Sequence, residues 1–278
     1  MKIEPNFKIA VITLVVWTSF VLSSCNPNTF ENLHQTRYSK INVSSEIEIL
    51  SNLKSNTQLI IAEGNYEFSN HIEIYELSEF SMIGNGQVTF TNNNLDENCL
   101  IIYNSKSIGI ENIFFTHKSK PNYNCSAGVV EVYRSSDIFL NSCTLDGSGI
   151  IGLNLDTAFN IELRKSTIQN CTEDILLMKN KSQCLIIESK LINNFCGTDC
   201  IEIRDAGNML KIDNSEILDN KFHNDVIDDS VYSFILTQKE GNDVKLHKCR
   251  IINNVNMMVI GIPDSAILNC EINLDSKK

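Results

Sequence analysis

Carboxylate side chains recur in the second half of the chain at spacings that suit acid–base chemistry. Asp199 and Glu202 lie three residues apart in the stretch GTDCIE, and Asp228 and Asp229 are adjacent. Two carboxyl groups on either side of a glycosidic bond can act as general acid and general base. We therefore take Asp199, Glu202, Asp228 and Asp229 as the candidate catalytic residues of a polysaccharide hydrolase.

Cation binding is a different use for some of the same acidic residues. Three of them, Asp199, Asp228 and Asp229, together with Asp174, offer oxygen ligands of the kind that calcium takes. With Arg204 or Lys179 as the base that abstracts a proton, this set predicts a polysaccharide lyase. Calcium is a candidate cofactor under that hypothesis alone.

A third group of polar residues falls at the same position of successive short strands and predicts a binding surface. Its members are Tyr133, Asp156, Lys179 and Arg204. Their side chains would form a stripe of mixed charge, flanked by loops, on which a linear polymer could lie. The alternative is an ordinary solvated strand face, because outward strand positions are normally polar.

A sequence repeat between residues 135 and 205 must position all of these side chains. It consists of three segments, SSDIFLNSCTLDGSGIIGLNLDT, AFNIELRKSTIQNCTEDILLMKN and KSQCLIIESKLINNFCGTDCIEIRD. Each gives a strand, a small residue (Cys143, Ser166 or Ser189), an Asn- or Gly-bearing turn and a further strand. Period-two alternation in such short runs indicates strands with one buried face. A repeat of this length predicts a right-handed single-stranded parallel β-helix solenoid of about eight coils.

The N-terminal residues predict where the protein is located in the cell. Lys2 and Lys8 precede an apolar run from Ile9 to Leu22, which has the form of a secretion signal. Leu22-Ser23-Ser24-Cys25 resembles the bacterial lipobox, which implies cleavage before Cys25 and lipidation of that residue. The expected parts are a lipoprotein signal peptide at 1–24, a flexible tether at 25–45 and a β-helix domain at 46–278. Within the last, Ile47, Leu50 and Leu53 predict a short capping helix, with Ser45 as its N-cap.

Net charge gives expectations about the binding partners, and the cysteine positions give expectations about disulfides. A formal net charge of −11 makes nucleic acid a poor partner and argues mildly against polyanionic sugars. Cys143, Cys249 and Cys270 share the small-residue position and are expected to be core thiols. A disulfide is expected only among the turn cysteines Cys125, Cys196 and Cys200, or with Cys171.

Residues 59–86 carry a family resemblance. Leu59-Ile60-Ile61-Ala62, the turn Glu63-Gly64-Asn65-Tyr66 and the stretch FSMIGNG resemble the start of pectate-lyase-like right-handed β-helices. The resemblance extends over roughly 57–274 and implies the fold; that superfamily includes lyases, hydrolases, epimerases and non-enzymatic adhesins. Compared with the polygalacturonase type of hydrolase, the chain has counterparts of two motifs of four, and lacks the Gly-His-Gly and Arg-x-Lys motifs.

These observations lead to one hypothesis and two alternatives. The first is a lipid-anchored protein of the bacterial cell envelope, at the outer membrane or cell surface, that interacts with carbohydrate or another surface polymer. The alternatives are a polysaccharide hydrolase or lyase, and a structural or protein-binding rod. Carboxylates that converge in one cleft, with a perturbed pKa, would favour the enzyme. Exposed aromatic rings would favour the binding protein. Ion pairs from coil to coil would favour the structural rod.

Overall fold

The computed structural model of the protein describes residues 38–119, 126–147, 150–197, 199–222, 233–252, 254, 258–260 and 263–273. Most of these residues lie in β-strands. The predicted signal peptide, Cys25, Asp228 and Asp229 lie outside the described residues. Within the described residues, no helix combines the length and apolar character needed to cross a membrane.

One helix, α1 (Glu46–Ser51), and a 3₁₀ turn at Asp264–Ala266 accompany the strands. The strands, in chain order, are β1 Ser39–Val43, β2 Thr57–Phe68, β3 Ile72–Tyr75, β4 Ser78–Asn92, β5 Leu100–Tyr103, β6 Lys106–His117, β7 Val130–Tyr133, β8 Ser136–Asn141, β9 Thr144–Asp146, β10 Ile151–Asp156, β11 Phe159–Arg164, β12 Thr167–Gln169, β13 Asp174–Lys179, β14 Gln183–Ile187, β15 Lys190–Ile192, β16 Phe195–Cys196, β17 Asp199–Ile203, β18 Met209–Asp213, β19 Glu216–Leu218, β20 Lys221–Phe222, β21 Ser233–Thr237, β22 Asp243–His247, β23 Arg250–Ile252, β24 Met258–Ile260, β25 Ile267–Leu268 and β26 Glu271–Asn273.

All strand pairs are parallel, and each strand pairs with its counterparts in the coils before and after it. The first sheet has two branches, β25-β22-β18-β14-β11-β8 and β9-β12-β15-β19-β23-β26, which meet at the long strand β6. The second sheet runs β24-β21-β17-β13-β10-β7-β5-β3. Each coil of the central region therefore contributes three short strands, and the parallel β-helix predicted from the sequence is confirmed.

The register of the three-segment repeat is also confirmed. Ile161 pairs with Ile138 on one side and with Cys184 on the other, and Leu176 pairs with Leu153 and with Ile201. These inward side chains are buried and line one continuous apolar core. Because side chains alternate across each strand, the intervening residues point outward, and they build the surface of the solenoid.

The small-residue position turns the chain between the two branches of the first sheet. The residue before it has a left-handed backbone, as at Ser142 (φ 53°), Lys165 (φ 49°) and Glu188 (φ 51°). The hydroxyl oxygen of Ser166 accepts a hydrogen bond from the backbone N–H of Cys143 (2.9 Å), and that of Ser189 accepts one from Ser166 (3.1 Å). A small polar side chain is thus required here, because it satisfies a buried backbone donor of the preceding coil.

A second ladder consists of the buried asparagines Asn194, Asn220 and Asn254. The Asn194 amide donates to Asn220 Oδ1 (2.9 Å), and the Asn220 amide donates to Asn254 Oδ1 (3.0 Å). The same oxygens accept backbone N–H groups of Asn194 and Asn220. Each asparagine therefore links two coils through both its side chain and its neighbour's backbone.

At the N-terminal end, two expectations differ from the structure: the extent of the tether and the buried face of the helix. Residues 39–43, predicted to belong to a flexible tether, form β1, which pairs with β2 from Ser39↔Thr57 to Val43↔Ile61. Val43 is buried, so this segment alternates like any other strand of the solenoid. Helix α1 does begin after Ser45, whose hydroxyl oxygen accepts the Glu48 N–H at 3.3 Å.

The expected apolar face of α1 is wrong for Ile47 and Leu50, whereas Leu53 packs against the core as expected. Ile49 is fully buried, whereas Ile47 is 79% exposed and Leu50 is also exposed. A six-residue helix makes fewer than two turns, so one buried residue suffices to dock it, and periodicity alone does not identify which face that residue occupies.

Candidate functional site

The outer face of the second sheet brings the predicted binding residues into one column. Tyr133 pairs with Asp156 on the next strand, and Asp156 pairs with Lys179 on the one after. Arg204 follows β17 directly, and its N–H donates to the Met178 carbonyl oxygen at 3.0 Å. The four residues are therefore neighbours on successive coils, and their role in binding stays a prediction.

The column continues toward the N-terminus as a stack of tyrosine rings. Tyr75 and Tyr103 have ring centroids 5.3 Å apart at an interplanar angle of 21°, and Tyr103 and Tyr133 are 5.1 Å apart at 11°. The Arg134 guanidinium lies 4.7 Å from the Tyr133 centroid. Only Tyr133 was predicted from the sequence, although a Tyr ends each of three successive strands of this sheet. Because the rings cover one another's faces, they offer mainly edges and hydroxyl groups to a ligand.

A carboxylate cluster lies at β13 and β17 of the same sheet. Asp174 begins β13 and Asp199 begins the adjacent strand β17, which also carries Glu202. The three residues are 9%, 7% and 8% exposed, respectively. The structure thus brings two of the four predicted catalytic residues together and adds Asp174, which the sequence analysis considered only as a calcium ligand.

Hydrogen bonds hold the two carboxylates of β17 in place. Asp199 accepts from the Ser233 hydroxyl group of the neighbouring strand β21. Glu202 accepts from the Gln238 amide and forms an ion pair with Arg204, with Nη2 and Oε2 2.8 Å apart. Neither Ser233 nor Gln238 was predicted, because both belong to a coil that is more than 30 residues distant in sequence.

The carboxyl group of Asp174 has a different environment from those of Asp199 and Glu202. Within the part of the chain that the structure describes, its carboxyl group makes no hydrogen bond or ion pair. Burial, followed by the negative charges of Glu202, Glu173 and Asp199, raises the pKa of Asp174 to about 8, and Arg204 offsets only part of this. Asp174 is therefore protonated at neutral pH, and it lies beside Glu202 and Asp199.

Arg204 is a poor candidate for a catalytic base. Its hydrogen bond to Glu202 raises the pKa of the guanidinium group above an already high ordinary value, against the opposing effect of burial. A group that holds its proton this strongly does not abstract one from a sugar carbon. Arg204 is better suited to fixing Glu202 in position.

The outer face at this point is not the fully solvated stripe of the alternative interpretation. Leu177, which points outward between Asn154 and Glu202, is only 1% exposed. Among the described ranges, no group of three or more His, Cys, Asp or Glu residues is placed to hold a metal ion. Two members of the predicted calcium set, Asp228 and Asp229, lie outside those ranges.

Cysteine chemistry near the cluster follows the sequence prediction. Cys196 and Cys200 form a disulfide, with Cα atoms 4.9 Å apart, and so enclose Asp199 in a short covalent loop. Cys143 and Cys249 are buried thiols, and burial raises the pKa of each to about 12. The expectation that Cys270 is a core thiol is wrong, because Cys270 is only half-buried near the C-terminal end of the described solenoid.

Comparison with known proteins shows the fold. No protein-family model and no curated protein matches the chain. Among solved structures, the catalytic domain of a GH87 α-1,3-glucanase in complex with tetrasaccharides matches 84% of this chain at 11% identity and a TM-score of 0.57, and the chain spans only 45% of that protein. A pectin methylesterase mutant in complex with a hexasaccharide matches at 11% identity and a TM-score of 0.54, covering 79% of each chain. The pectate lyase Pel9A matches at 10% identity and 0.53, covering 87% of this chain and 80% of its own. The chain is therefore a parallel β-helix protein with the pectate-lyase-like fold.

Proposed function

We propose that this chain binds a polysaccharide across the outer face of the second sheet and hydrolyses it at the carboxylate cluster. The observation that carries the proposal is Asp174, a mostly buried carboxyl group that keeps its proton at neutral pH beside Glu202 and Asp199. Pairs of carboxyl groups whose environments separate their pKa values are typical of acid–base catalysis. The similarity to proteins described as a glucanase, a pectin methylesterase and a pectate lyase supports a carbohydrate ligand.

Each member of the cluster has a distinct role in this proposal. Asp174 donates its proton to the glycosidic oxygen as the bond to the leaving sugar breaks. Asp199 is aligned with Asp174 on the adjacent strand and is oriented by Ser233; at the strand spacing of about 4.8 Å it acts as the nucleophile and attacks the sugar carbon as the glycosidic bond breaks. The ionised Asp174 then accepts a proton from the water that hydrolyses the glycosyl ester on Asp199. Glu202, fixed by Arg204 and Gln238, supplies the largest of the neighbouring charges that keep the proton on Asp174.

The protonation of Arg204 favours hydrolysis over the lyase alternative. A lyase that uses this cluster needs a base to remove a proton next to a sugar carboxylate. The ion pair with Glu202 keeps Arg204 protonated, so that step has no suitable acceptor at Arg204. Lys179, the other predicted base, lies at the opposite end of β13 from Asp174. An acid and a carboxylate nucleophile, as in hydrolysis, are both present among the described residues.

The test is product release from a panel of polysaccharides, measured as new reducing ends with and without calcium. We expect the wild type to release oligosaccharides from at least one glycan that it binds. Asp174→Asn should lower the rate by about 10²–10⁴-fold, because it removes the proton donor. Asp243→Asn, which alters a half-exposed carboxylate on the first sheet, is the matched control and should keep wild-type activity.

Three results would contradict the proposal. Binding without product release would rule out hydrolysis and leave a carbohydrate-binding protein. Release of unsaturated products, detected by their absorbance, would instead indicate a lyase. Binding to no glycan would favour the structural or protein-binding rod.

We further propose that the protein resides in the bacterial cell envelope, anchored through lipid on Cys25. The apolar run from Ile9 to Leu22 and the Leu22–Cys25 segment support this location. Mass spectrometry of the protein purified from membranes should show a mature chain that begins with an acylated Cys25. An intact N-terminus or an unmodified Cys25 would contradict the anchor.

A further inference from the structure

Negative charge predominates on the outer face of the second sheet. Its acidic residues are Glu73, Glu131, Asp156, Asp199 and Glu202. Its basic residues are Lys179, Arg204 and Arg134; Arg204 forms an ion pair with Glu202 at 2.8 Å, and Arg134 lies over the Tyr133 ring. Lys179 forms no ion pair among the described residues. This face is therefore electrostatically unfavourable for an anionic polymer.

Two of the acidic residues, Glu131 and Asp156, are held by neutral donors. Glu131 accepts amide hydrogen bonds from Asn98 (2.8 Å) and Asn154 (3.3 Å). Asp156 accepts from the Asn180 amide at 2.8 Å and the Thr157 hydroxyl at 2.9 Å. These bonds orient the carboxylates without cancelling their charge, and within the described residues neither has a basic partner.

Their place in the solenoid makes these charges relevant to a bound polymer. Glu131 lies on β7 and Asp156 on β10, and the next two strands, β13 and β17, carry the carboxylate cluster. At the usual spacing of about 4.8 Å between strands, Glu131 and Asp156 lie roughly 5–15 Å from the cluster along the solenoid. A polymer that lies along this face on the N-terminal side of the cluster therefore comes close to them.

Building on the proposed function, we infer that the glycan taken by this face carries no carboxylate groups, and that Glu131 and Asp156 exclude uronate polymers. A uronate placed over these residues would bring like charges together, and among the described residues of this face only the side chains of Lys179 and Arg134 could offset them. Unfavourable contacts of this kind give specificity by penalising the wrong ligand. A polymer of neutral or amino sugars meets no such penalty.

The experiment measures binding of soluble neutral glucans of several linkages, chitosan and polygalacturonate, each in EDTA and in calcium. The wild type is expected to bind a neutral glucan or chitosan at least about tenfold more tightly than polygalacturonate in both buffers. The double variant Glu131→Gln/Asp156→Asn should gain about tenfold in affinity for polygalacturonate and change less than about twofold for the neutral glucan. Asp156→Asn alone should gain part of this and serves if the double variant folds poorly.

A matched control is Glu111→Gln. Glu111 also accepts an asparagine amide, from Asn141 at 3.2 Å, but lies on the first sheet, so its replacement should change neither affinity. Polygalacturonate binding by the wild type as tight as that of the best neutral or amino glycan, in either buffer, would overturn the inference. So would variants that gain no affinity for polygalacturonate. Failure to bind any of the glycans would instead overturn the proposed function, and the inference with it.

Discussion

Asp174→Asn should make the protein more stable at neutral pH while it removes the proposed activity. The folded-state pKa of Asp174 is about 8, well above the ordinary value of 3.8. Below pH ~4 the carboxyl group is protonated in both the folded and unfolded chains, so it costs nothing. Between about pH 4 and 8 only the unfolded chain ionises, and the free energy of unfolding falls by up to about 1.4 kcal/mol for each pH unit. An asparagine cannot ionise and avoids this loss.

Urea unfolding of wild type and Asp174→Asn across pH 4 to 9 measures the effect. The stability difference should grow with pH, reach a few kcal/mol and level off above pH ~8. A difference that does not change with pH would contradict the assigned protonation state.

Asp213→Asn provides a control of opposite sign. Burial alone would raise the pKa of Asp213, but hydrogen bonds and charge from Lys211 and His247 outweigh this and lower it. The ionised form of Asp213 therefore stabilises the fold above its ordinary pKa, and this contribution is lost as the pH falls through the lowered value. Asp213→Asn should be less stable than wild type at neutral pH.

Asn220→Ala should destabilise the solenoid by roughly 2–5 kcal/mol. Asn220 is buried, its amide donates to the Leu191 carbonyl oxygen (2.9 Å) and to Asn254, and its oxygen accepts the backbone N–H and the amide of Asn194. Alanine would leave buried donors of Asn194 and a buried acceptor at Leu191 unsatisfied, and water has no access to replace the lost partner. Urea unfolding at pH 7 gives the value.

Asn141→Ala is the comparison for that measurement. Its amide makes one contact, to Glu111 at 3.2 Å, in a half-buried position, so the expected loss is below about 1 kcal/mol. Equal losses in the two variants would show that the buried ladder contributes no more than an ordinary surface hydrogen bond.

The fold could be predicted from the sequence because a solenoid repeats one local solution. Aligning Ile138, Ile161 and Cys184 gave the observed register directly, since each coil pairs with the next at the same position. Where the repeat stops, prediction was weaker. Segment β1 was taken as a tether and the buried residue of α1 was misassigned, because neither has a neighbouring copy to fix its register.

The candidate site was predicted only in part, for a physical reason. Outward position can be read from alternation, which placed Tyr133, Asp156, Lys179 and Glu202 on one face. Burial of outward residues such as Glu202 depends on contacts that alternation does not encode. The repeat did align Asp174 with Asp199, but nothing in the sequence indicated that Asp174 would lack a polar partner and so retain its proton.

The most direct test of the account is the titration of the Asp174 side chain by carboxyl-carbon NMR, with Asp174→Asn used to assign the signal. The account predicts a carboxyl group that remains protonated at pH 7 and titrates near pH 8. A midpoint in the ordinary aspartate range, near 4, would mean that Asp174 cannot donate a proton at neutral pH and would contradict its role as the general acid.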